Sequence, residues 1–242
     1  MKAAFLVATY QRPVLLRGCL EHLQRSVVPE GWSLEIVVAA IAGDHGIPVA
    51  EEFGVRCAIG KNRKVGRQFQ RALEATDADL IMTSGDDVLQ SPHRMSEAVK
   101  AFEAGAQVSG TDGLWFFEWD TGRVSAWRDG MVMRLGAVQN WSGALLRKVG
   151  GWSPVANHND STLHRRLTSA GLEPEPVVLS RALRMDTVSI HTPTNLSRAC
   201  PFGTGIRTLG SFTVEMFDGV VSAPDVPMAA RKTIAAMQER AA

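Results

Sequence analysis

The chain has 242 residues, room for one large domain or for one domain with an elaborated end, and its 45% hydrophobic and 21% charged residues exclude wholesale disorder. A formal net charge of +1 gives no global attraction to nucleic acid or to an anionic membrane, so any binding surface has to be local. Cys19, Cys57 and Cys200 form neither a CxxC pair nor the even set of a disulfide scaffold, which predicts reduced thiols and a cytoplasmic protein. The apolar start breaks at Thr9-Tyr10-Gln11-Arg12-Pro13, too early for a signal peptide. No stretch approaches the roughly 18 apolar residues of a membrane span, so a soluble protein without a membrane partner is expected. Oligomeric state is not legible.

Residues 3 to 9 read as a buried strand, and Val14-Leu15-Leu16, Cys19-Leu20 and Leu23 then recur at helical spacing after Pro13. A second strand spans Ser33 to Ala42 and ends in the polar turn Gly43-Asp44-His45-Gly46. Val55 to Ile59 is a short third strand, Lys61 to Thr76 a helix with Val65, Phe69, Ala72 and Leu73 on one face, and Leu80-Ile81-Met82 a fourth strand. Such alternation predicts a mostly parallel sheet covered by helices. Pro92 opens a further helix, to about Ala104. Past residue 105 the pattern changes. Leu114 to Trp119 and Val124 to Trp127 flank Asp120-Thr121-Gly122-Arg123 as a hairpin, Asp160 to Ala170 reads as a helix stopped by Gly171, and Met228 to Arg240 as a C-terminal helix. The segment from His191 to Gly210 reads as loop, and residues 192–227 are a candidate lid over the site.

The fourth strand delivers Asp86 and Asp87, and ligands of open α/β sheets bind beyond the carboxyl ends of strands. Two carboxylates there can hold a hard divalent cation, which neutralises a diphosphate; the same acids would also serve as a solvated turn ahead of Pro92. Lys61, Arg63, Lys64, Arg67 and Arg71, with Gly60 and Asn62, form a basic run at a helix start, suited to a phosphate or else a solvated charged face. Thr9, Tyr10 and Arg12 follow the first strand, where they could stack on or hydrogen-bond a nucleoside. Asp160 could accept a proton from a hydroxyl or simply cap its helix, and His191 could ligate a metal as neutral imidazole or be structural. The sequence has no GxxxxGK[ST], GxGxxG after the first strand, GxSxG or HExxH, so P-loop, dinucleotide-binding, hydrolase and zincin readings lack their motifs.

Taken in order, these segments resemble the GT-A inverting glycosyltransferases of family 2. Ala8-Thr9-Tyr10-Gln11-Arg12-Pro13 is similar to that family's "PTYNRP" loop, and Gly66 with Gln70-Arg71-Ala72-Leu73 to its "GxxxARNxGL" helix. Leu80 to Asp87 occupies the place of its DxD segment, and Trp141 to Trp152 that of its "GAxxxFRRxxLxxVGGF" stretch. Asn159-Asp160-Ser161-Thr162-Leu163-His164-Arg165-Arg166-Leu167 is similar to "EDxDLxxRLxxxG". The family's acidic turn after the second strand is replaced by Ala39-Ala40-Ile41-Ala42-Gly43-Asp44, with Asp44 as the substitute.

The resemblance implies an α/β fold of the GT-A, Rossmann-like nucleotide-diphospho-sugar transferase type. A mostly parallel sheet with flanking helices would carry a smaller antiparallel acceptor-side region. One continuous domain would divide into a nucleotide-sugar-binding half, 1–110, and an acceptor-binding half, 111–242, with the C-terminal helix. It further implies Mn²⁺ or Mg²⁺ on Asp87 and Asp86 with His191 as a further ligand, and Asp160 as the base that deprotonates the acceptor hydroxyl for inversion. The donor, a nucleoside-diphosphate sugar with UDP the first candidate, would meet Thr9, Tyr10, Arg12, Asp44, Asn62, Lys64, Arg67 and Asp86. The acceptor hydroxyl is that of a glycan, a protein or a hydroxymethylated DNA base. The rival readings are a DNA-modifying glycosyltransferase, a sugar-1-phosphate nucleotidyltransferase without its glycine-rich loop, and a GT-A domain that binds sugar nucleotides without turnover.

Overall fold

The structure is a computed structural model that describes residues 1–128, 138–153, 159–172, 174–179, 186–192, 206–209, 212–217 and 226–241. Strand β1 (Lys2–Ala8) carries the logic of its first half. Alternate residues of a strand face opposite sides of a sheet. Ala3, Phe5 and Val7 therefore join one buried cluster while Ala4, Leu6 and Ala8 join another, which is why this strand is apolar throughout.

β1 lies between two parallel neighbours, β2 (Ser33–Ile41) and β4 (Leu80–Gly85), and β3 (Arg56–Gly60) pairs parallel to β2 at the sheet edge. Helices α1 (Pro13–Leu23), α2 (Gly46–Glu52) and α4 (Arg94–Glu103) cover one face, burying Leu16, Cys19, Leu20, Val49, Met95 and Val99. On the other face α3 (Val65–Glu74) contributes Phe69, Ala72 and Leu73. Each fully buried aliphatic or aromatic side chain is worth about 1.5–3 kcal/mol relative to exposure, so this double covering is the main stabilising term.

The later residues complete this sheet and build a second. β6 (Val108–Gly110) and β9 (Gln139–Ser142) pair antiparallel, β9 also pairs antiparallel with β4, and β10 (Val177–Val178) adds parallel to β6, giving the order β10-β6-β9-β4-β1-β2-β3. Helices α5 (Gly143–Lys148) and α6 (Asn159–Ser169) follow β9, and Leu145, Leu146, Leu163 and Leu167 pack with Phe69, Trp141 and Trp152.

The expected hairpin is present as β7 (Leu114–Glu118) and β8 (Val124–Arg128). With β5 (Val88–Leu89), β11 (Val188–His191), β12 (Ile206–Leu209) and β13 (Phe212–Phe217) it forms a sheet of order β12-β13-β8-β7-β11-β5. Helix α7 (Met228–Ala241) sets Ala230, Ile234 and Met237 against Trp115, Phe117 and Ile190 of this sheet and Leu15 of α1. Gly18 of α1 lets α7 approach, since a β-carbon there would overlap the Met237 sulfur. Among the described residues no helix is long and apolar enough to cross a membrane.

Several expectations shift. Residues 191–210, read as loop, end in β12, which pairs antiparallel with β13, where Phe212, Val214 and Met216 alternate with Thr213 and Glu215. The candidate lid, 192–227, contains β12 and β13; its remainder lies almost wholly outside the described residues. Helix α2 was hidden by its short length and by Pro48. Helix α3 begins at Val65 rather than Lys61, because the Asn62 carboxamide oxygen accepts the Lys64 N–H at 2.9 Å and Lys64 is extended at ψ 129°.

Candidate functional site

Because β1 and β4 are parallel with Ala8 opposite Gly85, the next residues, Thr9 and Asp86, emerge side by side at the carboxyl edge of the sheet. Both are buried. The Thr9 hydroxyl donates to Asp86 Oδ2 at 2.7 Å, the Thr9 N–H continues the ladder to Ala39 O at 3.1 Å, and Gln68 Nε2 donates to Thr9 O at 3.0 Å. Gln68 thus ties α3 to the loop after β1.

That loop is built under strain to aim Arg12. Gln11 has φ 56°, the left-handed region that few side chains adopt, and its N–H is caught by Asp44 Oδ2 at 3.0 Å. Asp44 also takes the Gly46 N–H on Oδ1 at 2.8 Å and is itself buried. Arg12 then precedes Pro13 at the start of α1. Its guanidinium forks onto Asp86, with Nη2 to Oδ1 and Nε to Oδ2 at 3.1 Å, and reaches Asp87 Oδ2 through Nη1 at 3.2 Å.

Burial pushes the Asp86 carboxyl upward and the Asp87 charge adds to this, while the Arg12 charge and the Thr9 hydroxyl oppose it. Burial likewise disfavours the Arg12 cation, yet the two carboxylates outweigh it and hold Arg12 above its ordinary value. The ion pair, rather than water, compensates the buried acid.

Asp87 is the more open carboxylate, 15% exposed at its side chain against 0% for Asp86. Its backbone is fixed from the second sheet, where Ile190 N–H donates to Asp87 O at 2.7 Å in register with the antiparallel β5–β11 pair. His191, the next residue, ends β11, where it pairs with Glu118 of β7. Among the described residues no three His, Cys, Asp or Glu side chains gather as a complete metal cluster. The site still suits a divalent cation, because Mg²⁺-like ions use one or two carboxylates plus substrate phosphates rather than an all-protein cage.

The basic run lies beside this edge. Lys61, Asn62, Arg63, Lys64 and Arg67 are exposed, and Arg63 sits over the Tyr10 ring at 5.7 Å from its centroid. Arg71 is committed to structure, donating to Asn62 O at 3.0 Å and Ala40 O at 3.1 Å. Asp160 is the second residue of α6, and its side chain lies outside the described residues.

Sequence reasoning found Thr9, Arg12, Asp86 and Asp87 but not what joins them. Gln68 carried no signal beyond its place in an amphipathic helix. Arg94 was also missed: fully buried in the first turn of α4, it donates to Thr83 O at 2.8 Å, Gln139 O at 2.8 Å and Asn140 Oδ1 at 2.9 Å. Burial brings its guanidinium down to about 9, still a cation at neutral pH, and it locks β4 to β9 under the acidic turn.

A seven-stranded, mostly parallel sheet with an acidic turn at its carboxyl edge and a smaller sheet beside it is the GT-A fold of nucleotide-sugar glycosyltransferases. Among solved structures, a mannosyltransferase from Pyrobaculum calidifontis in complex with GDP-Man and Mn²⁺ superimposes with TM-score 0.57 at 15% identity, over 78% of this chain and 56% of that one. TarS 1–349 from S. aureus in complex with UDP-GlcNAc gives 0.55 at 12% identity, over 84% and 62%. Glucosyl-3-phosphoglycerate synthase from Mycobacterium tuberculosis, with Mn²⁺, UDP and phosphoglyceric acid, gives 0.53 at 16%, over 73% and 68%. The chain thus spans a little over half of the mannosyltransferase it resembles. No protein-family profile and no curated protein sequence matches it.

Proposed function

We propose that the protein is a cytoplasmic glycosyltransferase that moves a sugar from a nucleoside diphosphate, UDP before others, to an acceptor hydroxyl with inversion. The observation that carries this reading is the Thr9–Arg12–Asp86–Asp87 constellation at the carboxyl edge of the parallel sheet. Residues 1–110 form the donor half and 111–242 the acceptor half.

Thr9, Tyr10, Arg12 and Asp44 line the nucleoside side, and Asn62, Lys64 and Arg67 offer donors to the diphosphate. Asp87 would hold Mn²⁺ or Mg²⁺, with Asp86 and His191 beside it. When bound, the cation neutralises charge on the departing diphosphate. Asp160 takes the proton of the acceptor hydroxyl as that oxygen bonds to the anomeric carbon and the bond to the diphosphate breaks. The acceptor is a hydroxyl of a glycan, a protein or a modified base.

The test is calorimetric binding of a panel of nucleoside diphosphates, with and without Mn²⁺, to the wild type and to Asp87→Ala. Metal-dependent binding of one nucleotide, lost in the variant, is expected and names the base. Absence of binding by every nucleotide would sink the reading and leave only the fold.

A further inference from the structure

We propose that the Arg12 guanidinium and a divalent cation are alternative occupants of the Asp86–Asp87 pair, and that nucleotide binding exchanges one for the other. This rests on the donor-site reading above. It deepens that reading by giving Arg12 two partners, the acidic pair in the free protein and the diphosphate in the complex.

Geometry makes the exclusion. A guanidinium has five N–H donors in a fixed fork, and here three nitrogens are directed at the acidic pair. Asp86 Oδ2 already accepts both Arg12 Nε and the Thr9 hydroxyl, which uses both of its lone pairs, and Oδ1 accepts Arg12 Nη2. Asp87 gives Oδ2 to Nη1. Of the three side chains Arg12 is the most open, 21% exposed against 15% for Asp87 and 0% for Asp86. A cation that reaches both acids takes oxygens that the fork now holds, and it would stand beside a positive charge with which it has no favourable contact.

Charge balance gives the direction. The two carboxylates and Arg12 sum to a single negative charge, whereas the carboxylates with a divalent ion sum to zero. A released guanidinium needs a new anion, and a diphosphate is one that arginine binds well by paired hydrogen bonds. The backbone need not move, because Gln11 is pinned through Asp44 and Pro13 fixes the entry to α1, which leaves the exchange to the long side chain. Metal alone must therefore break the ion pair without compensation, while metal and nucleotide together do not. The consequence is a strong positive coupling between the two ligands, reciprocal by linkage.

The experiment measures Mn²⁺ affinity by calorimetry with and without the nucleoside diphosphate that binds, in the wild type, Arg12→Met, Arg12→Lys and Arg12→Met/Asp87→Asn. Expected results are Mn²⁺ binding without nucleotide at least tenfold tighter in Arg12→Met than in the wild type, loss of that gain in the double variant, and a metal–nucleotide coupling at least tenfold smaller in Arg12→Met. Arg12→Lys keeps the charge but cannot fork onto both acids; it is expected to bind Mn²⁺ alone at least threefold tighter, and it decides the matter if the Met variant does not fold. Metal-only affinity equal to the wild type in either folded variant overturns the exchange while leaving the donor site standing. A gain that survives Asp87→Asn also overturns it, since the metal is then elsewhere. Failure of every nucleotide to bind the wild type with Mn²⁺ removes the donor reading and the coupling together, a result distinct from the other two.

Discussion

Gly85 and Asp87 are matched by shape: a β-carbon on residue 85 would overlap the Oδ1 oxygen of Asp87, so only glycine at the end of β4 lets that carboxylate fold back beside the strand. The neighbouring Arg12 holds the other oxygen, which leaves the carboxylate little room to yield. Gly85→Ala should therefore displace Asp87 without unfolding the sheet. Nucleoside diphosphate binding in the presence of Mn²⁺ is expected to weaken about tenfold, or ~1.4 kcal/mol. Calorimetry with a parallel thermal melt checks this, and unchanged affinity in a folded variant would contradict the placement of Asp87 at the donor site.

The Thr9 hydroxyl is a donor to a carboxylate with no solvent exposure. Thr9→Val preserves the branched shape and removes only that donor. Hydrogen bonds to charged groups contribute about 1.5–3 kcal/mol, so urea unfolding should show a loss of this size. Thr9→Ser, which restores a hydroxyl, should recover most of it. A loss in Thr9→Ser with none in Thr9→Val would assign the effect to packing of the Thr9 methyl instead.

The parallel half was legible because its signals are local. The unbroken apolar run of Ala3 to Ala8, the helical spacing of Leu16, Cys19, Leu20 and Leu23, and the turn ending in Asp86-Asp87 each sit within a dozen residues. The second sheet was less visible, since its strands are short and β11 pairs with β7 across more than seventy positions, a contact that no local pattern encodes. The same holds inside the site. Asp86 and Asp87 announced themselves as a pair, but the sequence did not show that Arg12, seventy-four positions away, would cover them, nor that Asp44 would engage the Gln11 N–H. Long-range polar partnerships depend on which strands become neighbours, and that is decided by the whole fold.

Gly151 and Gly171 share a φ of +66°, yet their surroundings differ. A β-carbon at 171 meets nothing within 4 Å, whereas one at 151 would collide with Gln70 Oε1, the acceptor of the Trp152 N–H. Gly171→Ala should therefore cost only the left-handed penalty, roughly 1–2 kcal/mol. Gly151→Ala should cost about 2 kcal/mol more, because it also breaks the Gln70 bridge between α3 and the turn before α6 and disturbs the Phe69–Trp152 contact, at 5.4 Å between ring centroids. Paired denaturant curves measure the difference, and equal losses would remove Gln70 as the reason for glycine at 151.

His22 links three parts of the molecule, with Nδ1 at 3.2 Å from Gln90 O and Nε2 at 2.9 Å from the Thr233 hydroxyl on α7. A carbonyl can only accept, so Nδ1 carries a proton; in the neutral ring Nε2 then accepts from the Thr233 hydroxyl, and in the charged ring it donates to it. Burial lowers the His22 pKa, and Arg25 lowers it further, against the Gln90 carbonyl and Glu21, which raise it. The unfolded chain, with a histidine near 6.5, therefore binds more protons than the folded one below that pH. Stability is thus complete above about 6.5 and falls as the pH drops from there toward the lower folded value. His22→Gln, which does not titrate, should flatten the dependence of Tm between about pH 6.5 and 5, since the contribution of the raised Asp86 carboxyl is common to both proteins and cancels in the comparison. Melts of both proteins across that range decide it: parallel slopes would mean that the acid sensitivity of the α1–α7 packing arises from another group.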